Sequence, residues 1–186
     1  MKTLLRNNGS TLTAKLAKLS PGKEEIVSYQ NIPKDISPYK LILLSGSSTH
    51  PVFGNEDLFS AEITLINRCD VPIIGICLGH ELIAHTFGAK LSHLGKSHVG
   101  MTEVNVTQEH PMFMGRTSFT VFHNHRYGVT EPGNELTELA RTEHSIAILK
   151  HKQREIYGFQ FHPEHHTDQQ FGDEVFIKLF DVLTSE

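Results

Sequence analysis

The sequence predicts an α/β fold with a mostly parallel central sheet flanked by helices, and with extra antiparallel strands in its second half. In the first half, short apolar runs alternate with segments of helical periodicity, which is typical of parallel strands joined by crossover helices. In the second half, segments rich in Thr, Val and Ile alternate with turn signals such as Pro132-Gly133-Asn134. These indicate further strands. The length of 186 residues suits one domain, and we expect a single domain over 1–186.

The first half supplies the parallel part of the predicted sheet. Its predicted elements are a strand at 2–6, a helix capped by Ser10 and running to about Leu19, a strand at 24–29, a strand at 41–44 and a helix at 56–69. The polar run Ser45-Gly46-Ser47-Ser48 follows the 41–44 strand. In an open α/β sheet, ligands bind at this carboxyl end of a strand. An ordinary loop is the alternative interpretation of the run.

A buried strand and a helix are predicted to meet at Cys77. Residues 71–76 form a continuous apolar run, typical of a strand buried on both faces, and the helical pattern that follows is expected to stop at Gly88. Gly75 and Gly79 flank the cysteine, as a sharp strand-to-helix turn requires. Such a turn exposes its central residue at a helix N-terminus, which favours a thiolate. A buried core cysteine is the alternative, and a catalytic role requires a base elsewhere.

The second half is predicted to add strands and a C-terminal helix. The predicted strands lie at 90–94, 99–107, 117–123, 136–142, 145–150 and 156–161. Apolar residues recur at helical spacing over 171–183, which indicates an amphipathic helix packed on the sheet.

The candidate base stands at the end of the last predicted strand, in His162-Pro163-Glu164. Pro163 favours an extended conformation at His162, and residues two apart in an extended segment face the same side. Glu164 can therefore orient the imidazole of His162, which completes a nucleophile, base and acid with Cys77. A strand that ends in a polar turn is the alternative.

Taken together, these segments resemble the class I, triad-type glutamine amidotransferases. The resemblance rests on Gly-Ile-Cys-Leu-Gly-His at 75–80, Phe-Gln-Phe-His-Pro-Glu at 159–164 and the loop Leu44-Ser45-Gly46, and it extends from about residue 40 to the C-terminal helix. It implies a flavodoxin-like glutamine amidotransferase fold and a glutaminase without a cofactor. Cys77 would attack the side-chain amide of glutamine, His162 would pass the thiol proton to the leaving ammonia, and Glu164 would orient His162.

The same resemblance implies how the rest of the site is built. Backbone N–H groups of Gly46 and Leu78 would hold the oxyanion of the reaction. The stretch 122–129 resembles the Gln-Asn-His-Gly-Phe-Ala-Val segment of carbamoyl-phosphate synthetase small subunits, which contacts glutamine. The residues that it implies for the glutamine pocket are Asn124, His125, Arg126 and Tyr127. A strand-to-loop junction with surface histidines is the alternative for this stretch.

The chain departs from the family pattern at three places. Glu81 stands where the family usually has a substrate-contacting Gln, so that position keeps an acceptor and loses an amide donor. Ser47 and Ser48 follow Gly46 where the family usually continues Gly-Pro. The guanylate-type pattern Ser-His-x-Asp is not matched either, since Tyr127 stands where the Asp would be.

Three functions stay open at this point. The first is a freestanding subunit that feeds ammonia to a separate synthetase chain, with guanylate, anthranilate or aminodeoxychorismate synthesis as the candidate acceptors. The second is a stand-alone hydrolase of γ-glutamyl amides or peptides, which Glu81 favours. The third is a non-catalytic regulatory domain, against which the intact Cys77, His162 and Glu164 argue.

The composition indicates which partners, location and metal content to expect. The formal charge of −4 and the absence of a Lys/Arg-rich run argue against a nucleic-acid partner. No apolar run is long enough for a signal peptide or a membrane span. The two cysteines cannot form a disulfide framework, so we expect a reducing, cytoplasmic location. A metal cluster of His162, His165, His166 and Glu164 lacks the spacing of known metal motifs, and we expect no metal.

Overall fold

The computed structural model describes residues 1–165 and 171–184. Within those ranges the chain forms nine strands and four α-helices. The strands are β1 (Lys2–Asn7), β2 (Lys23–Ser28), β3 (Leu41–Leu44), β4 (Ile73–Ile76), β5 (Lys90–Val106), β6 (Ser118–Glu131), β7 (Leu136–Arg141), β8 (Ile146–His151) and β9 (Ile156–Phe159). The helices are α1 (Thr13–Leu19), α2 (Ser60–Arg68), α3 (Leu78–Thr86) and α4 (Gly172–Thr184).

All nine strands belong to one mixed sheet, in the order β2-β1-β3-β4-β9-β8-β6-β5-β7. The five strands from β2 to β9 pair in parallel, and the pairings on the other side of β9 are antiparallel. The expectation of a mostly parallel sheet therefore holds for the first five strands in this order and not for the sheet as a whole. Short turns join most strands of the second half, and such turns connect antiparallel strands, whereas parallel strands need a crossover.

Helices cover both faces of the sheet. One apolar cluster joins the sheet to α1 and α4, and a second joins its other face to α2 and α3. The strands β3, β4 and β9 at the centre are buried at every position, which explains their uninterrupted apolar sequences. None of the helices in the described ranges has the length and apolar character needed to cross a lipid bilayer.

The first two helices begin later than expected. Helix α1 begins at Thr13 and no side chain caps it, so the prediction that Ser10 caps this helix is wrong. The Asn7 side chain organises the preceding turn instead, because its Oδ1 accepts hydrogen bonds from the N–H groups of Gly9 and Ser10 and from the Thr13 hydroxyl. Helix α2 begins at Ser60 after a series of turns.

The second half has longer strands than the sequence predicts. The segments expected at 90–94 and 99–107 belong to one strand, β5, whose register against β6 shifts between His93 and His98. Strand β6 continues to Glu131, so the stretch 122–129 is part of a strand and not a strand-to-loop junction. In the other direction, β9 ends at Phe159, two residues before the predicted end.

Candidate active site

The turn between β4 and α3 leaves no room for side chains at its two glycines. A Cβ atom at Gly75 would overlap the backbone carbonyl of Gly79. A Cβ atom at Gly79 would lie 2.5 Å from the carbonyl oxygen of Leu44 and 2.8 Å from its Cβ, well inside van der Waals contact. The helix start is therefore packed directly on the two central strands β3 and β4, as the spacing of Gly75, Cys77 and Gly79 predicts.

Cys77 occupies the turn in a strained backbone conformation. Its φ is 50° and its ψ is −100°, outside the regions that non-glycine residues ordinarily adopt. A hydrogen bond from its N–H to the carbonyl oxygen of Phe159, 2.8 Å long, ties the turn to β9. Strain of this kind costs about 1–3 kcal/mol and persists where surrounding structure imposes it, often at functional sites.

His162 and Glu164 form the expected pair. His162 Nδ1 lies 2.9 Å from Glu164 Oε1, and Glu164 is 1% exposed. A turn after β9, and not an extended segment, brings them together, since residues 163–164 have turn geometry. The N–H of His162 donates to the carbonyl oxygen of Phe122, which fixes this turn against β6.

The His162 imidazole also lies beside the Cys77 side chain: Cys77 Cβ and His162 Cε1 each stand 3.3 Å from a Cβ atom placed at Gly46. Burial by itself lowers the pKa of His162, but the neighbouring Cys77 and Glu164 outweigh it and raise the pKa well above its usual value. Both partners favour the protonated imidazole. The three side chains that the sequence nominates as a triad are thus brought together in the order nucleophile, base and acid.

Gly46 lies against the nucleophile and the base. A Cβ atom there would stand 3.3 Å from both Cys77 Cβ and His162 Cε1. The neighbouring loop is fixed by Asn8, which donates from its N–H to Ser45 Oγ and from its side-chain amide to the Ser45 carbonyl oxygen. Leu78 is the first residue of α3, and N–H groups in the first turn of a helix have no intrahelical acceptor.

A cavity of about 530 Å³ opens above these residues. All of the nominated side chains line it except Gly46 and Glu164; they are Cys77, Leu78, Glu81, Asn124, His125, Arg126, Tyr127 and His162. Sequence reasoning missed the part of the wall at Ser10–Leu12. That segment follows β1, and the rule that ligands bind beyond the carboxyl ends of parallel strands could have found it.

Strand β6 supplies the wall opposite α3. The carbonyl oxygen of Asn124 lies 3.9 Å from Cys77 Sγ. Arg126 donates from Nε to Ser97 Oγ at 2.9 Å, and the Tyr127 ring contacts the rings of Phe53 and His93. The side chains of Arg126 and Tyr127 are thus held by neighbours at the cavity mouth.

A pair of buried histidines supports this wall. His125 Nδ1 lies 2.7 Å from the carbonyl oxygen of Tyr127, which can only accept, so Nδ1 carries the hydrogen. Burial lowers the pKa of His125 to about 4 and that of His123 to about 2, so both are neutral at pH 7. The 2.9 Å contact between them therefore runs from His123 Nδ1–H to His125 Nε2.

Glu81 is a buried residue of the cavity lining. Its N–H donates to the carbonyl oxygen of Cys77, which places it one helical turn beyond the nucleophile. The side chain is 5% exposed, and Gln160 donates from Nε2 to Glu81 Oε1 at 3.3 Å. Burial raises the pKa of Glu81 to about 8.

No group of three or more metal-ligating side chains in residues 1–165 and 171–184 is arranged to hold a metal ion. The His-rich cluster considered from the sequence includes His166, which lies outside the described residues.

Comparison with known proteins identifies the family. Residues 5–182 match the family model of class-I glutamine amidotransferases. The chain belongs to this family. Among the relatives of this amidotransferase is a glutamine-hydrolyzing GMP synthase subunit from Methanococcoides burtonii, 37% identical over 80% of this chain and 75% of the relative. The protein of the same name from Pyrococcus abyssi is 40% identical over 82% of this chain and 79% of the relative.

Solved structures agree with this family membership. A candidate GMP synthase subunit from Thermoplasma acidophilum superimposes with a TM-score of 0.87 at 25% identity, over 100% of this chain and 94% of that chain. A glutamine amidotransferase from Thermotoga maritima has a TM-score of 0.76 at 17% identity, over 98% of this chain and 83% of that chain. This second likeness concerns the fold alone.

Proposed function

We propose that this amidotransferase hydrolyses glutamine through a Cys77 γ-glutamyl thioester and supplies the ammonia to a separate synthetase subunit. The observation that carries the proposal is the contact series Cys77, His162 and Glu164 at the floor of an open cavity. We further propose that residues 1–186 form one domain, and the family match over residues 5–182 supports this extent. We also propose that the protein acts in the cytoplasm, because its two cysteines are unpaired.

The acylation half of the reaction uses all three side chains. Before the attack His162 already holds the proton of the Cys77 thiol on Nε2, as its raised pKa favours, because Nδ1 is held by Glu164. The sulfur attacks the side-chain carbonyl carbon of glutamine, and the carbonyl π electrons move to oxygen. When the tetrahedral intermediate collapses, the carbon–nitrogen bond breaks and His162 gives its proton to the departing nitrogen. Ammonia and the thioester result.

The hydrolytic half restores the enzyme. Water attacks the thioester carbon while His162 Nε2 takes a proton from it, and the sulfur leaves and recovers that proton. Glutamate is released. In both halves the oxyanion is stabilised by the N–H groups of Gly46 and Leu78. Two observations support these assignments. Gly46 lies close to Cys77 and His162, and Leu78 is the first residue of α3.

The substrate's amino-acid end is assigned to Glu81 and to the β6 wall. Asn124, His125, Arg126 and Tyr127 line the cavity together with Cys77, so the rest of a glutamine molecule bound at Cys77 would lie against them. Because the His125 ring nitrogens are engaged by His123 and the Tyr127 carbonyl, we assign it to shaping the wall and assign polar contacts to Asn124 and Arg126.

The proposed acceptor is the synthetase reaction of GMP synthase. The relatives at 37% and 40% identity are named as its glutamine-hydrolyzing subunit, a name that implies at least one further subunit. Asn124 and Tyr127 stand where the guanylate-type Ser-His-x-Asp pattern has Ser and Asp, so the substrate-side contacts of this chain differ from that pattern at two residues.

The test is a glutaminase assay of the purified chain with and without a GMP synthase synthetase subunit. Glutamate release is expected to require Cys77, so Cys77→Ala should abolish it. The synthetase subunit, supplied with its own nucleotide substrates, should incorporate the released ammonia nitrogen into GMP. Hydrolysis that persists in Cys77→Ala would refute the mechanism.

A stand-alone hydrolase of γ-glutamyl amides or peptides is the second candidate. Glu81 favours it, because a carboxyl group lines the cavity where the family usually has an amide. A comparison of kcat/KM for glutamine and for a γ-glutamyl dipeptide decides between them. Preference for the dipeptide, with no stimulation by the synthetase subunit, would support the hydrolase.

A further inference from the structure

Glu81 lies in an environment that does not suit a carboxylate ion. It is buried, and among residues 1–165 and 171–184 only the Gln160 side chain forms a hydrogen bond with its carboxyl group. No Lys or Arg side chain in those ranges forms an ion pair with it. A buried charge without a counter-ion is costly, and a carboxyl group in such a place keeps its proton.

The other titratable groups around the cavity do not supply that counter-ion. Besides Glu81, those that line the cavity are Cys77, His50, His93, His125, Arg126, Tyr127, His162 and His165. His125 is neutral at pH 7, as its lowered pKa of about 4 indicates. The positive charge of His162 is shared with Cys77 and Glu164, and Arg126 Nε is engaged by Ser97.

Given the proposed glutaminase function, we propose that Glu81 binds the substrate as a neutral carboxylic acid. Its carbonyl oxygen accepts the hydrogen bond from Gln160 Nε2, and its hydroxyl group donates a hydrogen bond to the α-carboxylate of the substrate in the cavity. The carboxyl group then acts as a donor where an ionised carboxylate would repel the substrate. Glu81 is thus a specificity-determining residue with a fixed protonation state.

Gln160 has a definite part in this arrangement. Its amide nitrogen faces Glu81, and its amide oxygen is buried with no hydrogen-bond partner among the described residues. The hydrogen bond from Gln160 favours the ionised form of Glu81 and lowers its pKa, although burial prevails. Removal of this donor therefore raises the pKa further and extends the range in which Glu81 is neutral.

If Glu81 binds the substrate in its protonated form, the affinity for glutamine should fall at alkaline pH as Glu81 ionises. With a pKa of about 8, about one tenth of the molecules hold a neutral Glu81 at pH 9, so the KM for glutamine should rise about tenfold between pH 7 and pH 9. In Glu81→Gln the amide cannot ionise, so the part of the rise due to this residue should vanish. The wild-type chain and Glu81→Gln share the titrations of glutamine, Cys77 and His162. These titrations therefore cancel in the ratio of wild-type KM to Glu81→Gln KM at each pH.

The experiment measures KM and kcat of the full chain, Glu81→Gln and Gln160→Met for glutamine from pH 6 to pH 9.5. We expect the KM of the wild-type chain, divided by the KM of Glu81→Gln, to rise about tenfold from pH 7 to pH 9. The pH dependence of kcat should be the same in these two proteins. In Gln160→Met the rise should begin at higher pH. A ratio that stays constant with pH, or a midpoint near the ordinary value for Glu, overturns the proposal.

A second readout separates this proposal from the glutaminase mechanism. Glutamine binding to Cys77→Ala and to Cys77→Ala/Glu81→Gln is measured by calorimetry over the same pH range. If the wild-type chain hydrolyses no glutamine but the Kd ratio of the two variants rises with pH, the mechanism fails and the role of Glu81 stands. If glutamine binds neither variant, or the ratio is flat, the role of Glu81 is refuted.

Discussion

Glu164 is the residue that tests the triad with the least disturbance of the cavity. It is buried behind His162 and does not line the cavity, so its replacement leaves the substrate's contacts in place. In Glu164→Gln the imidazole loses a charge that, together with Cys77, raises its pKa. The amide of Gln can donate as well as accept, so it no longer fixes the tautomer. We expect kcat to fall by about 10²- to 10⁴-fold with little change in KM.

Steady-state glutaminase kinetics with a matched variant check this prediction. Glu174→Gln removes a carboxylate of an exposed pair with Arg116 on α4, and it should leave kcat near the wild-type value. Equal kcat values for Glu164→Gln and Glu174→Gln would show that Glu164 does not act on His162.

The sequence identifies the triad residues but not the surroundings of Glu81 and His125. Cys77, His162 and Glu164 could be nominated because glycines and a proline mark their local backbone. The environment of Glu81 could not be foreseen, because its burial and its hydrogen bond to Gln160 join residues 79 positions apart. The engagement of both His125 nitrogens was equally hidden, since it depends on strand geometry that the short histidine-rich stretch does not reveal.

At the scale of the element, the strand-to-helix turn depends on the absence of two side chains. We expect Gly75→Ala to destabilise the protein by about 1–3 kcal/mol and to lower glutaminase activity, because its Cβ would push α3 away from β4. The measurements are urea unfolding and kcat/KM of the same preparation.

A glycine in an open position provides the control for this prediction. Gly95 has a positive φ, 81°, but no atom lies within 4 Å of a Cβ placed there. Asn tolerates this conformation, so Gly95→Asn should change stability by less than about 0.5 kcal/mol. Similar losses in Gly75→Ala and Gly95→Asn would argue against steric packing as the cause.

Element boundaries were less predictable than element types, for physical reasons. Within the described residues, the sequence predicted the four α-helices and the nine strands except for the continuity of β5 and of β6, and it missed the short 3-10 helix Pro111–Phe113. Helix α1 begins three residues after Ser10. The Asn7 side chain holds the N–H groups of Gly9 and Ser10, and Ser10 Oγ accepts from the Leu12 N–H, so the serine belongs to a turn that precedes the helix. Strand β5 appeared as two strands because its register shift interrupts the apolar alternation.

A buried ion pair fastens helix α2 to strand β1. Arg6 and Glu62 are both fully buried, and Arg6 Nε lies 3.3 Å from Glu62 Oε1. Arg6 also donates to the carbonyl oxygens of Tyr29 and Asn31. Arg6→Met would leave Glu62 without its counter-ion, and we expect a loss of about 3–5 kcal/mol in the free energy of unfolding.

Urea unfolding of a double-mutant cycle tests whether this loss comes from the broken pair. Replacing both partners, as in Arg6→Met/Glu62→Leu, removes the stranded charge, so the double variant should be more stable than Arg6→Met alone. If the two single losses simply add in the double variant, the pair does not couple α2 to β1.

At the scale of the whole molecule, the site lies where the two kinds of strand pairing meet. Strands β3, β4 and β9 of the parallel part bring Gly46, Cys77 and His162 to one edge of the sheet. The antiparallel part adds β6 as the opposite wall. Neither part by itself contains both the nucleophile and the cavity, so the mixed topology is what assembles the site.

The buried titratable groups of the molecule make opposite contributions to the pH dependence of its stability. Burial lowers the pKa of His80 to about 3, of His123 to about 2 and of His125 to about 4. Below pH 6.5 the unfolded chain therefore binds protons at these residues that the folded chain does not. Stability should fall as the pH falls, and each such residue contributes about 1.4 kcal/mol per pH unit.

The opposite sign applies to the groups whose pKa values are raised in the folded state. Burial raises the pKa of Glu62 to about 7, against the attraction of Arg6, and that of Glu81 to about 8, and the pKa of His162 is raised as well. Above about pH 4.5 the unfolded chain loses the protons of both carboxyls, while the folded chain keeps them until the pH passes their raised pKa values, so their contribution to stability falls as the pH rises. Between pH 4.5 and pH 6.5 this fall offsets part of the gain from the three histidines. We therefore expect the urea midpoint to rise only gently from pH 4.5 to pH 6.5, to peak near pH 6.5, and to fall below pH 4.5 and toward pH 9. Glu81→Gln should steepen the rise from pH 4.5 to pH 6.5 and flatten the fall from pH 6.5 to pH 8, and a wild-type midpoint that is level from pH 6.5 to pH 8.5 would show that these groups are ionised in the folded protein.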